Sequence, residues 1–217
     1  MSSRRIVVYD TTLRDGAQGP AVSFSAADKA RIARALDGLG FDYVEGGFPG
    51  SNPKDAELFA GLAAHPLKHA KLAAFGATRR AGGRCEDDAN LRALADSGAP
   101  VWTLVGKSDP WQVTTVLQAT PSENLAMVEE SVAFGLSAGR ELIFDAEHFF
   151  DGFARDSEYA LEVCLAAARA GASWIVLCDT NGGSMPAQIR RGVEAVRGAL
   201  ADLDLPVRVG IHTHNDC

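Results

Sequence analysis

A chain of 217 residues is long enough to bury a sizeable core as one domain, or as most of a larger one. Its 47% hydrophobic and 23% charged residues are those of an ordinary globular protein, and a net charge of −7 excludes a dedicated nucleic-acid binder, because little here would neutralise a run of phosphates. No stretch is apolar for long enough to span a bilayer, the N-terminus shows no signal-peptide pattern, and Cys85, Cys164, Cys178 and Cys217 are scattered without paired metal spacing, so a reduced cytoplasmic protein with no membrane partner is expected.

Strand-like runs rich in valine, isoleucine and aromatics alternate with amphipathic segments. The first run, residues 5–10, leads into Asp10, Arg14 and Asp15. Ser25 and Asp28 form a capping-box pattern that opens a helix with Ile32, Leu36 and Leu39 on one face and Gly40 as its stop. Further strands are expected at 42–47, 71–76, 101–106, 141–146, 174–179 and 207–213, spaced as in strand–helix–strand crossovers. Between them, Thr120-Pro121-Ser122-Glu123 caps a helix carrying Leu125, Val128, Val132 and Leu136. Ser184 and Pro186 open another, carrying Ile189, Val193, Val196 and Leu200. Gly98 and Gly171 read as helix C-caps.

Apolar strands without strict alternation point to a parallel sheet covered on both faces. An open doubly wound sheet usually has one switch-point site, whereas a (β/α)8 TIM barrel gathers functional residues at the C-terminal ends of many strands. The polar residues here follow the first, second, fifth, sixth and seventh strands, which favours the barrel. A closed barrel needs one more unit after residue 217, so the chain is expected to be a catalytic barrel domain over 1–217, truncated after strand seven. The unpaired edges of the first and seventh strands would leave it unstable and inactive alone.

His212 and His214 lie two apart in the last strand and project to one side, the simplest way to offer two imidazoles to one metal, although structural histidines are common. Asp15 sits at a tip sharing the same barrel mouth and either completes a facial metal site or merely shapes a turn with Gly16. Asp145 and Glu147 share a strand face, as catalytic or simply solvated carboxylates. Thr180, ahead of a glycine-rich turn, could hold a carboxylate or only cap a helix. Glu45 could pair with Arg14 or take a chemical role. Arg79, Arg80 and Arg84 read as a solvated loop or as a contact to an anionic cofactor.

Taken in order, DTTLRDGAQ, EGGFPGSNPKD, FGATRR, GKSDPW, FDAEHFFDGF, LCDTNGG and GIHTHND resemble the citramalate synthase branch of the 2-isopropylmalate/homocitrate synthase family along nearly the whole chain. Ala17, where isopropylmalate synthases typically carry Glu, favours that branch. The resemblance implies a metal-dependent condensation of acetyl-CoA with pyruvate to citramalate, in isoleucine biosynthesis, by an enzyme expected to be a homodimer. Asp15, His212 and His214 would ligate a divalent metal (magnesium, manganese or zinc), Arg14 would stabilise the developing oxyanion, Thr180 would bind the oxo-acid carboxylate, and Glu147 would stand near the acetyl methyl. The family's acyl-CoA loop after strand eight, its linker and its regulatory domain would lie beyond Cys217. Competing readings are an isopropylmalate or homocitrate synthase, an acyl-CoA lyase of the same clan, a non-catalytic regulator and, more remotely, an iron oxygenase.

Overall fold

The computed structural model describes residues 5–214. Within them lie seven parallel strands in sequential order: β1 (Tyr9–Asp10), β2 (Tyr43–Gly47), β3 (Lys71–Ala77), β4 (Val101–Lys107), β5 (Glu141–Glu147), β6 (Trp174–Asp179) and β7 (Arg208–Thr213). The crossovers carry helices on the outer face: α1 (Ala26–Leu39), α2 (Pro53–Ala64), α3 (Ala89–Asp96), α4 (Pro110–Thr115), α5 (Pro121–Ser137), α6 (Phe149–Arg155), α7 (Ser157–Arg169) and α8 (Pro186–Asp202). These are seven successive strands of a (β/α)8 barrel, the fold class expected from the sequence.

The sheet is strongly curled, and side chains cross its hollow. Tyr9 on β1 reaches Thr103 on β4 at 2.6 Å, and the Tyr43 hydroxyl on β2 donates to Glu141 on β5 at 2.6 Å. Tyr43, Ala73, Val101 and Ile143 fill the lumen, with Val7, Tyr9, Trp174 and Val176 packed against them. A larger core lies between the sheet and the outer helices, centred on Trp102, Leu142, Phe144 and Ile175. Such two-sided burial explains the continuous apolar strands.

Caps at two of the helices read from sequence are present, whereas α8 is capped at Met185 and Ser184 bonds Asp179 instead. Ser25 and Asp28 bond reciprocally, Gly40 takes a left-handed φ of 84°, and Thr120 accepts from the Glu123 amide ahead of Pro121. Other details differ from expectation, Leu136 on α5 being exposed. Leu39 is 76% exposed, and α1 instead buries Lys29, Ala33 and Asp37. The buried charges have partners: Lys29 pairs with Asp55, and Asp37 accepts from the backbone N–H groups of Lys68, His69 and Ala70 at 2.7–2.9 Å. The first strand, expected over 5–10, pairs with β2 only at Tyr9 and Asp10. Residues 5–8 run beside a seam, because β1 and β7 are not hydrogen-bonded to each other. A cavity of about 710 Å³ opens there, lined by Ile6, Val8 and Tyr9 on one side and by Val209, Ile211 and His212 on the other.

Candidate metal centre and active site

The turn after β1 and the end of β7 lie on opposite sides of the seam, yet their polar groups meet. The turn is tightened by the amides of Arg14, Asp15 and Gly16, which all donate to the Thr11 carbonyl. It aims Asp15 across the gap, where Asp15 Oδ2 lies 3.2 Å from His212 Nε2 and 3.5 Å from His214 Nε2. The two imidazoles stack with centroids 4.9 Å apart, as expected for alternate residues on one strand face. Ligand atoms about 2.0–2.2 Å from one ion, at tetrahedral or octahedral angles, stand roughly 3.0–3.6 Å apart; both Asp15–histidine separations meet this, and all three ligand atoms lie within 4.8 Å of one another. The hydrogen bond from His212 and the neighbouring Arg14 charge hold the Asp15 carboxyl below its usual range, although burial opposes them. The His212 imidazole is raised by the same contact with Asp15, against burial. Asn215, Asp216 and Cys217 lie outside the described residues.

Arg14 is clamped from three sides. Its Nε donates to Glu45 at 2.6 Å, its Nη1 contacts Asp15 at 3.2 Å, and its guanidinium lies 4.0 Å from the centre of the Phe75 ring. Burial works against the Arg14 charge, and Glu45 and Asp15 more than restore it. Glu45 is therefore the partner of Arg14, one of the two roles open to it in the sequence. It also accepts from Tyr9 at 2.8 Å. Being fully buried, Glu45 is pushed up by loss of solvent despite the Arg14 charge. The same burial, with the Glu45 charge, lifts the Asp145 carboxyl to about 7.

Asp145 and Glu147 do share one face of β5, but at different depths. Asp145 is buried in the lumen, whereas Glu147 stands at the rim, where Lys107 Nζ holds it at 2.5 Å. Lys107 and Glu147 are register partners on adjacent strands, so their pairing follows from the sheet itself. The backbone beneath Glu147 is fixed by Ser108, whose amide and hydroxyl donate to the Glu147 carbonyl at 3.0 and 2.8 Å. Gly152 permits this, because a β-carbon there would collide with the Ser108 carbonyl. Thr180, at the end of β6, accepts from the His148 amide at 2.9 Å, and His148 holds a left-handed φ of 56°. The His148 ring contacts Asp151 at 3.1 Å, and Asn181 donates to the same carboxylate at 2.8 Å, tying the loops after β5 and β6 together.

Arg79 belongs to neither of the readings open to its cluster: it is buried, and it pairs with Glu123 at 2.7 Å and Glu130 at 2.6 Å. Its neighbour Arg80 is exposed, and exposed Arg84 pairs with Glu86. Sequence reasoning missed Lys107, Tyr9, Thr103 and Cys178 as members of the mouth. For Lys107, Tyr9 and Thr103 the alternation along each strand was the available signal, since each follows a valine two positions earlier. Cys178 had no spacing signal, because its neighbours Asp145 and His212 come from other strands.

The chain matches the family model described as HMGL-like over residues 5–217. It is 50% identical over 210 residues to an (R)-citramalate synthase of Streptomyces coelicolor, covering 96% of this chain and 38% of that protein. It is 46% identical to an (R)-citramalate synthase of Aquifex aeolicus, covering 99% and 40%, and 34% identical to a 2-isopropylmalate synthase of Stenotrophomonas maltophilia, covering 100% and 40%. The chain thus spans about 40% of the length of the curated relatives it matches. Among solved structures, a hydroxymethylglutaryl-CoA lyase from Pseudomonas aeruginosa superposes with a TM-score of 0.75 at 19% identity, over 97% of this chain and 68% of that one. That likeness concerns the fold.

Proposed function

The chain belongs to the HMGL-like family, and from that premise we propose that it carries the metal-dependent mouth of an enzyme that condenses acetyl-CoA with pyruvate, water then hydrolysing the thioester to release CoA and citramalate. The observation that carries the reading is the convergence of Asp15, His212 and His214 beside a clamped arginine, in a chain far more similar to citramalate synthases than to isopropylmalate synthases. In this reading Asp15, His212 and His214 hold a divalent ion (magnesium, manganese or zinc), which when bound polarises the 2-oxo acid carbonyl as a Lewis acid.

The chain's own groups supply the rest. Thr180 accepts from the His148 amide, so its hydroxyl proton is left to donate to the oxo-acid carboxylate. Glu147, steadied by Lys107, takes the proton from the acetyl methyl. Arg14 presents fixed positive charge to the alkoxide that forms, and its three contacts mean no reorganisation is needed as that charge develops. The place of the reaction is isoleucine biosynthesis in the cytoplasm, in a homodimeric parent protein. Residues 1–217 by themselves are proposed to be inactive, since Asp15 and the two histidines face each other across a seam where β1 and β7 share no backbone ladder and only side chains meet.

The test compares catalytic efficiency of the full-length protein on pyruvate and on 2-oxoisovalerate with acetyl-CoA. Pyruvate is expected to win. A pocket discriminates by only about 1–3 kcal/mol per methylene, so the slower substrate is still turned over. A preference for 2-oxoisovalerate would reassign the chain to isopropylmalate chemistry.

A further inference from the structure

We propose that Asp145, Cys178 and His212 form a second metal site beneath the Asp15–His212–His214 group, one that takes thiophilic dications such as zinc or cobalt(II) and shares His212 with the first. The potential ligand atoms of these residues all lie within 4.8 Å of one another. They come from three successive strands: Cys178 on β6 and His212 on β7 are register partners, and Asp145 on β5 pairs with Val176, one lumen-facing position below Cys178. Carboxylate, thiolate and imidazole are the donor types of a tetrahedral site with one open position. The seam cavity reaches both Asp145 and His212, giving an ion a way in.

The electrostatics favour occupation by a dication. Cys178 is buried, and Asp145, Glu147 and Glu45 lie near enough to act on it electrostatically, as does Arg14. Those carboxylates penalise a lone thiolate, yet they attract a cation that binds the thiolate and sends its proton to solvent. Sulfur sets the selectivity, since thiolate prefers zinc, cadmium or cobalt, while the Asp15 group has no sulfur and suits harder ions as well. A neutral imidazole has one lone-pair nitrogen, so His212 serves one ion at a time. Resting on the function proposed above, a thiophilic ion on Cys178 therefore inhibits turnover supported by magnesium or manganese by withdrawing His212.

The experiment titrates metal-free, full-length protein with cobalt(II) and records the thiolate-to-cobalt charge-transfer absorption, which Asp15, His212 and His214 cannot give. The band is expected in wild type, is retained in Asp15→Asn and is lost in Cys178→Ala and Cys178→Ser. Asp145→Asn, which leaves Cys178 in place and so tests the site apart from any folding defect of the Cys178 variants, should weaken cobalt(II) binding at least about tenfold, the effect of even outer-shell partners. No band in wild type, or a band unchanged in the Cys178 and Asp145 variants, overturns the proposal. In a parallel assay with magnesium, zinc is expected to inhibit wild type more strongly than Cys178→Ser. Failure to form citramalate at any zinc level would refute the synthase reading and leave the cobalt result standing.

Discussion

At the floor of the sheet, Glu141 at the start of β5 accepts from the Tyr43 hydroxyl at 2.6 Å and from Lys71 Nζ at 2.5 Å, while Asp37 accepts from three backbone N–H groups. At the mouth, the other end of the same strands gathers Asp15, Glu45, Asp145 and Glu147 near Arg14 and Lys107. The floor carboxylates are met by hydrogen-bond donors and a lysine, whereas the mouth crowds buried carboxylates together, so that burial and the Glu45 charge lift Asp145 to about 7. The difference teaches that charge at the floor serves the fold, whereas charge at the mouth is arranged for something that arrives, as the barrel architecture leads one to expect.

Several substitutions break or sharpen that contrast, and the largest effect belongs to His212. His212→Ala in the full-length protein is expected to bring metal-dependent turnover down to background while the melting transition measured without metal stays close to wild type. Full activity in a metal-stripped His212→Ala protein would erase the distinction between the two ends. Arg14→Lys keeps the charge and loses the fork, and kcat should fall by about 10²–10³ with a smaller change in KM for the oxo acid, as steady-state kinetics can separate.

Floor substitutions should do the reverse. Asp37→Ala leaves the amides of Lys68, His69 and Ala70 without their acceptor, and denaturant unfolding is expected to show a loss of about 2–3 kcal/mol with kcat unchanged. Burial alone would raise the Asp37 carboxyl, but the amides of Lys68, Ala70 and His69 outweigh it and hold it below the ordinary value. Its ionised form is therefore favoured by folding, so the stability it contributes is fully present above about pH 4 and is lost as pH falls through the lower folded value. The gap between wild type and Asp37→Asn should close in that acid range. The smallest effect is expected for Tyr43→Phe, which removes one hydrogen bond to Glu141, costs about 1 kcal/mol and leaves turnover alone.

The same contrast explains what could be read from the sequence. The period of the strands, the caps at Ser25 and Thr120 and the glycine stops are local, and they appear where the residues indicated. The meeting of Asp15 with His212 and His214 was foreseeable because a barrel brings strand tips to one mouth. Lys107 beside Glu147 depended on register between β4 and β5, which no local pattern specifies. Cys178 needed three strands to be aligned at once. Leu39 misled for a related reason: helical spacing cannot reveal that Lys29 and Asp37 find partners that let them replace it on the buried face.

The seam between β1 and β7 gives the proposed ion at Asp15, His212 and His214 a mechanical meaning besides its chemical one. Its ligands come from the first and last strands of the sheet, which share no backbone ladder, so an ion held by all three acts as a clasp between two free edges. Whatever binds the closed arrangement and not the sprung one adds to its stability, by about 2.7 kcal/mol at a hundred times its dissociation constant. Loading the ion and joining the two margins of the sheet are then one event, and the fraction of molecules so joined is set by the metal concentration around the protein.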